Sequence, residues 1–403
     1  MSKVVVTGYG VKAPNTSNSK EFVDNLVNGV CCLETVNHLT PKGESTVVGV
    51  IKEDLLEFLP DKAYARFPRT ALLGMAAGKE ALSHSKLSDL KSKKIGVFFG
   101  VSVGNIGDVN FQESILNVHQ NNYREVPIIF GHQGNHHSIT SAIAHYLGTK
   151  GMTKTISTGC TSSLEAIQDA AVYLKSGVID VAIVGGVDSP ISKAAAFAFA
   201  KTKVLPLNQS LDDAAVPFQS SSKGFAMSEG AGVIILERET DALKREAIIL
   251  GEIDRIVSNN DGVFIYSVDQ SGEQMINALR EVLNHRHPDY VNSQALGIQL
   301  NDIIEQKCSK ELLNHKVPYT SIKSMIGNPF GAIGIIQVIS SLISINYGFI
   351  PPTIRTRKKG FEDMNIVCDT IFKEINEVAI TNHGYGGNNA CAYIKSYKKG
   401  ESS

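Results

Sequence analysis

The chain has 403 residues, with 39 Lys and Arg against 40 Asp and Glu and a formal net charge of −1. Hydrophobic residues make up 43% and charged residues 20%, which is enough apolar material for a sizeable core and excludes a disordered chain. The even charge excludes a general nucleic-acid coat or a polybasic membrane binder.

In chain order, β-branched apolar runs alternate with Ala-rich stretches. Val4–Thr7 reads as a buried strand, Arg69–Ser83 as a helix and Ile95–Phe99 as the next strand. Ile139–Leu147 reads as a helix, Lys154–Ser157 as a strand and Ser162–Lys175 as an amphipathic helix. Strand Val181–Val184, helix Ile191–Ala200 and strand Gly232–Leu236 follow. The alternation restarts with Ala247–Val257 and runs through Tyr290–Ser293, Thr320–Ser324, Ala332–Ile345, Glu377–Ile380 and Ala390–Ile394. Strands alternating with helices predict an α/β architecture. The 35 glycines cluster at its turns.

The two halves resemble each other. Thr155-Ile-Ser-Thr-Gly-Cys160 leads into the helix at Ser162, and Ser321-Ile-Lys-Ser-Met-Ile-Gly-Asn328 into a helix beginning near Gly331. Both read strand, small-residue turn, polar residue, helix. A duplicated unit is expected, with halves 1–245 and 246–403 sharing one core, because no Pro/Ser-rich linker separates them.

The six cysteines (Cys31, Cys32, Cys160, Cys308, Cys368 and Cys391) include no CxxC pair and no repeated spacing. A reduced, cytoplasmic setting is therefore expected. No leader pattern heads the chain, and Ala194–Ala200 and Ala332–Ile339 are too short to span a bilayer. His132, His136, His137 and His145 form a histidine-rich stretch in which the first two share i,i+4 spacing. Gly131 and Gly134 favour a loop there and no HExxH follows, so no metal site is expected. Gly100–Gly107 lacks the GxGxxG order of a dinucleotide loop.

Cys160 stands between a strand and a helix, in Ser157-Thr-Gly-Cys-Thr-Ser162. A thiol at a helix N-terminus feels the macrodipole and free backbone N–H groups, which favour a thiolate and would hold an oxyanion. The other reading of the position is a buried structural cysteine.

These blocks together resemble a β-ketoacyl-acyl-carrier-protein synthase, an elongating condensing enzyme of the thiolase-like superfamily. The resemblance spans essentially the whole chain. It is carried by Val4-Val-Val-Thr-Gly-Tyr-Gly10, Arg66-x-x-Arg69 with Glu80-Ala-Leu82, the segment around Cys160, Gly224-Phe225 with Glu229-Gly-Ala-Gly232, Lys323-Ser-Met325 and Gly384-Tyr-Gly-Gly-Asn-Asn389. It implies a thiolase-like fold of two pseudo-symmetric halves in a layered αβαβα arrangement. It also implies acyl transfer from an acyl carrier protein onto Cys160, in polyketide or fatty-acid-type biosynthesis, with no bound cofactor. The partner subunit would complete a homodimer or a heterodimer with another ketosynthase-family chain.

Two departures matter. The family's first catalytic histidine is replaced by Gln294, after Tyr290-Val-Asn292-Ser293, and the second by Asn328. An amide donates hydrogen bonds but has no useful pKa for general-base work. The resemblance places the backbone N–H of Tyr385 beside that of Cys160 in the oxyanion hole and His383 close to the thiol, where it would raise the thiolate fraction. Lys323 and Glu305 would form a buried charged pair behind the site. Lys62, Arg66 and Arg69 would make a basic patch receiving the acidic carrier protein. A non-condensing, chain-length-factor-like subunit and an ester- or amide-forming acyltransferase are the alternatives.

Overall fold

A strand covered on both faces must send alternate side chains into two different cores. Gly230–Arg238 does so: Val233 and Ile235 enter one core, Ile234 and Leu236 another. Asn388–Lys395 repeats the pattern, with Ala390, Ala392 and Ile394 on one side and Cys391 and Tyr393 on the other. The computed structural model, which describes residues 2–57, 59, 64 and 66–399, builds these strands into one ten-stranded sheet.

The sheet is a duplication. In chain order, the first half contributes Val4–Lys12, Ile95–Gly100, Met152–Ile156, Val181–Asp188 and Gly230–Arg238. The second contributes Gly251–Asn260, Tyr290–Asn292, Tyr319–Thr320, Glu377–His383 and Asn388–Lys395. From its outer edge inward, each half runs third, second, fourth, fifth, first. In each, the second strand is parallel to the third and fourth, and the fifth is antiparallel to its neighbours. The two first strands pair antiparallel, Val4 opposite Ile253 and Val6 opposite Gly251, and join the halves.

Helices Ser162–Lys175 and Ile333–Tyr347 occupy the middle layer, sharing one core with the inner faces of both half-sheets. Helices Arg69–Ser85 and His137–Tyr146 cover the outer face of the first half. Glu273–Leu283 and Gln299–Leu313 cover that of the second. This is the expected αβαβα layering. The glycines of the opening strand have a packing reason: a Cβ at Gly10 would lie 2.2 Å from Ala77 O, inside the covering helix.

The stretch Phe330–Tyr347 is longer than the apolar run expected there, and is long and apolar enough to cross a membrane by composition. It is 83% buried, as the core helix of the second half. Thr320–Ser324 splits into the end of a strand and the start of the short helix Lys323–Ile326.

Candidate active site

Cys160 follows the edge strand Met152–Ile156 through Gly159, which adopts φ 74°, into a 3₁₀ turn that opens the central helix. The Ser162 hydroxyl accepts from Thr158 N–H (2.9 Å) and donates to Gly159 O (2.5 Å), which fixes the turn. The first amides of a helix have no intrahelical acceptor. The Gly-rich loop after Glu377–His383 closes over the turn: a Cβ at Gly384 would lie 3.7 Å from Cys160 Sγ. In that loop the N–H groups of Gly384, Gly386 and Gly387 are bonded to Asn388, Ser267 and Gly384 carbonyls. The Tyr385 N–H has no acceptor among the described residues. A cavity of about 220 Å³ lies in front of Cys160, with Gln294, Asn328 and His383 also on its lining.

Two carboxamides share the cavity with the sulfur. Asn328 Nδ2 donates to Cys160 Sγ at 3.8 Å, and its backbone is pinned by Asn328 N to Ala226 O (2.9 Å) and Ser228 N to Asn328 O (3.1 Å). Gln294 Nε2 donates to His383 O (2.9 Å), which holds the amide on the cavity wall that Cys160 shares. Burial still dominates: it pushes the Cys160 thiol up, against the pull of Asn328, Lys323 and Gln294. Burial thus opposes the thiolate that the helix position favours.

His383 requires correction. Its ring is buried on the cavity wall, but Nε2 meets Glu305 Oε1 at 3.1 Å and Nδ1 meets Asn301 Nδ2 at 3.2 Å. A neutral ring donating from Nε2 and accepting at Nδ1 satisfies both contacts. With both nitrogens committed, the ring is not a base for Cys160.

The same contacts correct the expected Lys323–Glu305 pair. Glu305 is occupied by His383 and by the Thr381 hydroxyl (2.9 Å to each oxygen), while Lys323 Nζ donates to Ser293 O (2.9 Å). Burial lowers the Lys323 pKa to about 7, with Glu305 acting on it through space in the opposite sense. Lys323 thus braces the backbone one residue before Gln294.

The basic patch also changes. Arg69 grips the buried Glu229 with Nε (2.5 Å) and Nη2 (2.8 Å), and donates to Ile51 O. It is a structural clamp, half-buried, and not a surface charge. Arg66 is exposed, and Lys62 lies outside the described residues.

Asp188 was not singled out by sequence. It ends Val181–Asp188 and accepts from the amides of Ser102, Val103, Gly104 and Gly331 at 2.7–3.0 Å, tying two loops beside the cavity together. A carboxylate closing an apolar strand after Gly185-Gly186 was the available signal. Asn301, which completes the bonding of His383, carried none. Among the described residues, no cluster of His, Cys, Asp and Glu could hold a metal ion.

A duplicated αβαβα fold with a cysteine on the first turn of its buried central helix defines the thiolase-like condensing enzymes. Residues 1–242 match the family model described as Beta-ketoacyl synthase, N-terminal domain, and residues 250–357 that described as Beta-ketoacyl synthase, C-terminal domain. The chain belongs to the β-ketoacyl synthase family. It is 28% identical over 427 residues to the tetracenomycin polyketide synthase ketoacyl synthase alpha subunit of Streptomyces glaucescens, covering 97% of this chain and 96% of that one. It is 27% identical over 410 residues to 3-oxoacyl-[acyl-carrier-protein] synthase 2 of Staphylococcus aureus, covering 98% and 99%. Among solved structures, the ishigamide ketosynthase/chain length factor superposes with a TM-score of 0.89 at 20% identity, over 98% of this chain and all of that one. A type II PKS acyl-carrier protein complexed with its ketosynthase gives a TM-score of 0.87 at 21% identity, over 98% and 100%.

Proposed function

We propose that this chain is a carrier-protein-dependent acyltransferase that forms an acyl-thioester on Cys160 and passes the acyl group on. The Cys160 sulfur, deprotonated as substrate binds, attacks the carbonyl of an acyl-carrier thioester. The carbon–sulfur bond to the carrier breaks, and the carrier leaves as its thiol with the proton that Cys160 gave up. The N–H groups of Cys160 and Tyr385 receive the developing oxyanion. Asn328 and Gln294 donate to carbonyls at the second-substrate site. The observation that carries this reading is the Asn328 amide donating to a sulfur at the first turn of the central helix, with Gln294 on the wall of the same cavity. Gln294 and Asn328 stand where the family resemblance puts its two catalytic histidines, so malonyl decarboxylation by general-base chemistry is not expected. A homodimer or a heterodimer with a ketosynthase-family chain would carry the site, with the exposed Arg66 receiving the acidic carrier.

Incubation with acyl-carrier thioesters followed by intact-mass measurement tests the proposal. An acyl adduct present in the native chain and absent in Cys160→Ala is the expected result. No adduct with any donor would overturn it and favour a non-condensing, chain-length-factor-like subunit, a reading consistent with the raised thiol pKa. Release of labelled carbon dioxide from malonyl carrier protein would show that condensation is retained.

A further inference from the structure

We infer that the rings of Phe199, Phe225 and Phe330 form a gauge that restricts the acyl group on Cys160 to a short apolar or single-ring tail; this rests on the acyl-transfer reading above. The three rings lie on the same cavity as Cys160 and pack on one another. Phe199 and Phe330 are 4.9 Å apart between centroids, and Phe225 meets both edge-to-face at 5.7 and 5.8 Å. Each ring therefore fixes the tilt of the other two, and none is free to turn aside alone.

The backbone holds the wall as firmly as the packing does. Phe330 adopts φ 46°, a left-handed conformation that bulky residues seldom take. It is held there from both sides: Asn328 is bonded to Ala226 and Ser228 in front, and the Gly331 N–H is bonded to Asp188 Oδ2 at 2.7 Å behind. A strained aromatic two residues beyond the amide that contacts Cys160 links the wall to the reacting atom.

Size and chemistry set the class. The cavity measures about 220 Å³. A dry engineered cavity of about 150 Å³ takes one benzene, whereas drug-sized ligands occupy about 300 Å³ or more. A ring with a few further atoms, or a comparable straight chain, fills the space. Among the described residues no Asp, Glu, Lys or Arg lines it, so a charged tail would be desolvated without a partner.

The test uses the full chain and two reagent series. Butanoyl, benzoyl, octanoyl and tetradecanoyl thioesters of N-acetylcysteamine report acyl transfer to Cys160. N-butyl and N-tetradecyl iodoacetamide report access to the sulfur without any acyl chemistry. Both are read by intact mass. The short and benzoyl reagents should react about tenfold or more faster than the tetradecyl ones, the scale on which a rigid apolar pocket discriminates. Phe330→Leu and Phe199→Leu should each narrow that ratio in a chain still folded by circular dichroism, the buried Phe330→Leu at some cost in melting temperature. Equal rates for both iodoacetamides in the native chain, or an unchanged ratio in both variants, overturns the gauge. A length cut-off with the iodoacetamides but no reaction with any thioester sustains the gauge and removes the acyl-transfer reading instead.

Discussion

Lys323 shows how a single buried charge couples the site to solvent pH. Its ammonium is fully buried, donates to one carbonyl, Ser293 O, and has burial as the main cause of its lowered pKa of about 7. In the unfolded chain a lysine titrates near ~10.4. Between those two values the unfolded chain binds more protons than the folded one, so this group makes stability rise with pH from about 7 to about 10. Below the folded pKa both states are protonated and the slope vanishes. Lys323→Met keeps the length of the side chain and removes the titration. Urea unfolding from neutral to alkaline pH should show the native chain gaining stability relative to Lys323→Met across that window. A constant difference between the two would mean that the lysine is not desolvated as described.

At the scale of elements, the Arg69–Glu229 clamp joins the first turn of helix Arg69–Ser85 to the turn before strand Gly230–Arg238 and to the Ile51 loop. The Ser189 hydroxyl donates to the same carboxylate at 2.6 Å. Removing the cation strands a buried carboxylate, at a cost of about 2–4 kcal/mol given the partial exposure of the arginine. Arg69→Met should therefore lower the unfolding free energy without raising the apparent KM for an acyl-carrier thioester. Arg66→Ala should raise that KM, and the same KM rise in both variants would restore Arg69 to the docking patch. This pair also marks where sequence reading stops. Helix Ser162–Lys175 and the places of Cys160, Gln294 and Asn328 were legible, because local periodicity and motif order determine them. The partner of Arg69 lies 160 positions away, and the direction of the His383 ring depends on Asn301 and Glu305 from another layer. Such pairings are set by tertiary packing, which composition and spacing do not encode.

For the whole molecule, the joint between halves decides how the chain folds. Leu164, Ile167 and Leu174 of one central helix share a core with Ile335, Ile339 and Leu342 of the other, and with strands of both half-sheets. Each half supplies one helix to this inner layer, and Ile333–Tyr347 of the second half packs also on Val181–Asp188 and Gly230–Arg238 of the first. The site is divided in the same way: Cys160 comes from the first half, while Gln294, Asn328 and the loop at Tyr385 come from the second. A segment 1–245 produced alone would lose the cover that Ile333–Tyr347 gives to Val181–Asp188, Gly230–Arg238 and helix Ser162–Lys175, leaving a contiguous apolar surface against water. It should show no lasting amide protection in Val181–Asp188 or Gly230–Arg238, strands buried almost throughout in the intact chain. Co-production with 246–403 should restore both the protection and the reactivity of Cys160. A monomeric, protected 1–245 would instead mean that each half folds by itself and that the site assembles by docking, in which case thiol reactivity would lag behind the recovery of strand protection when the halves are mixed.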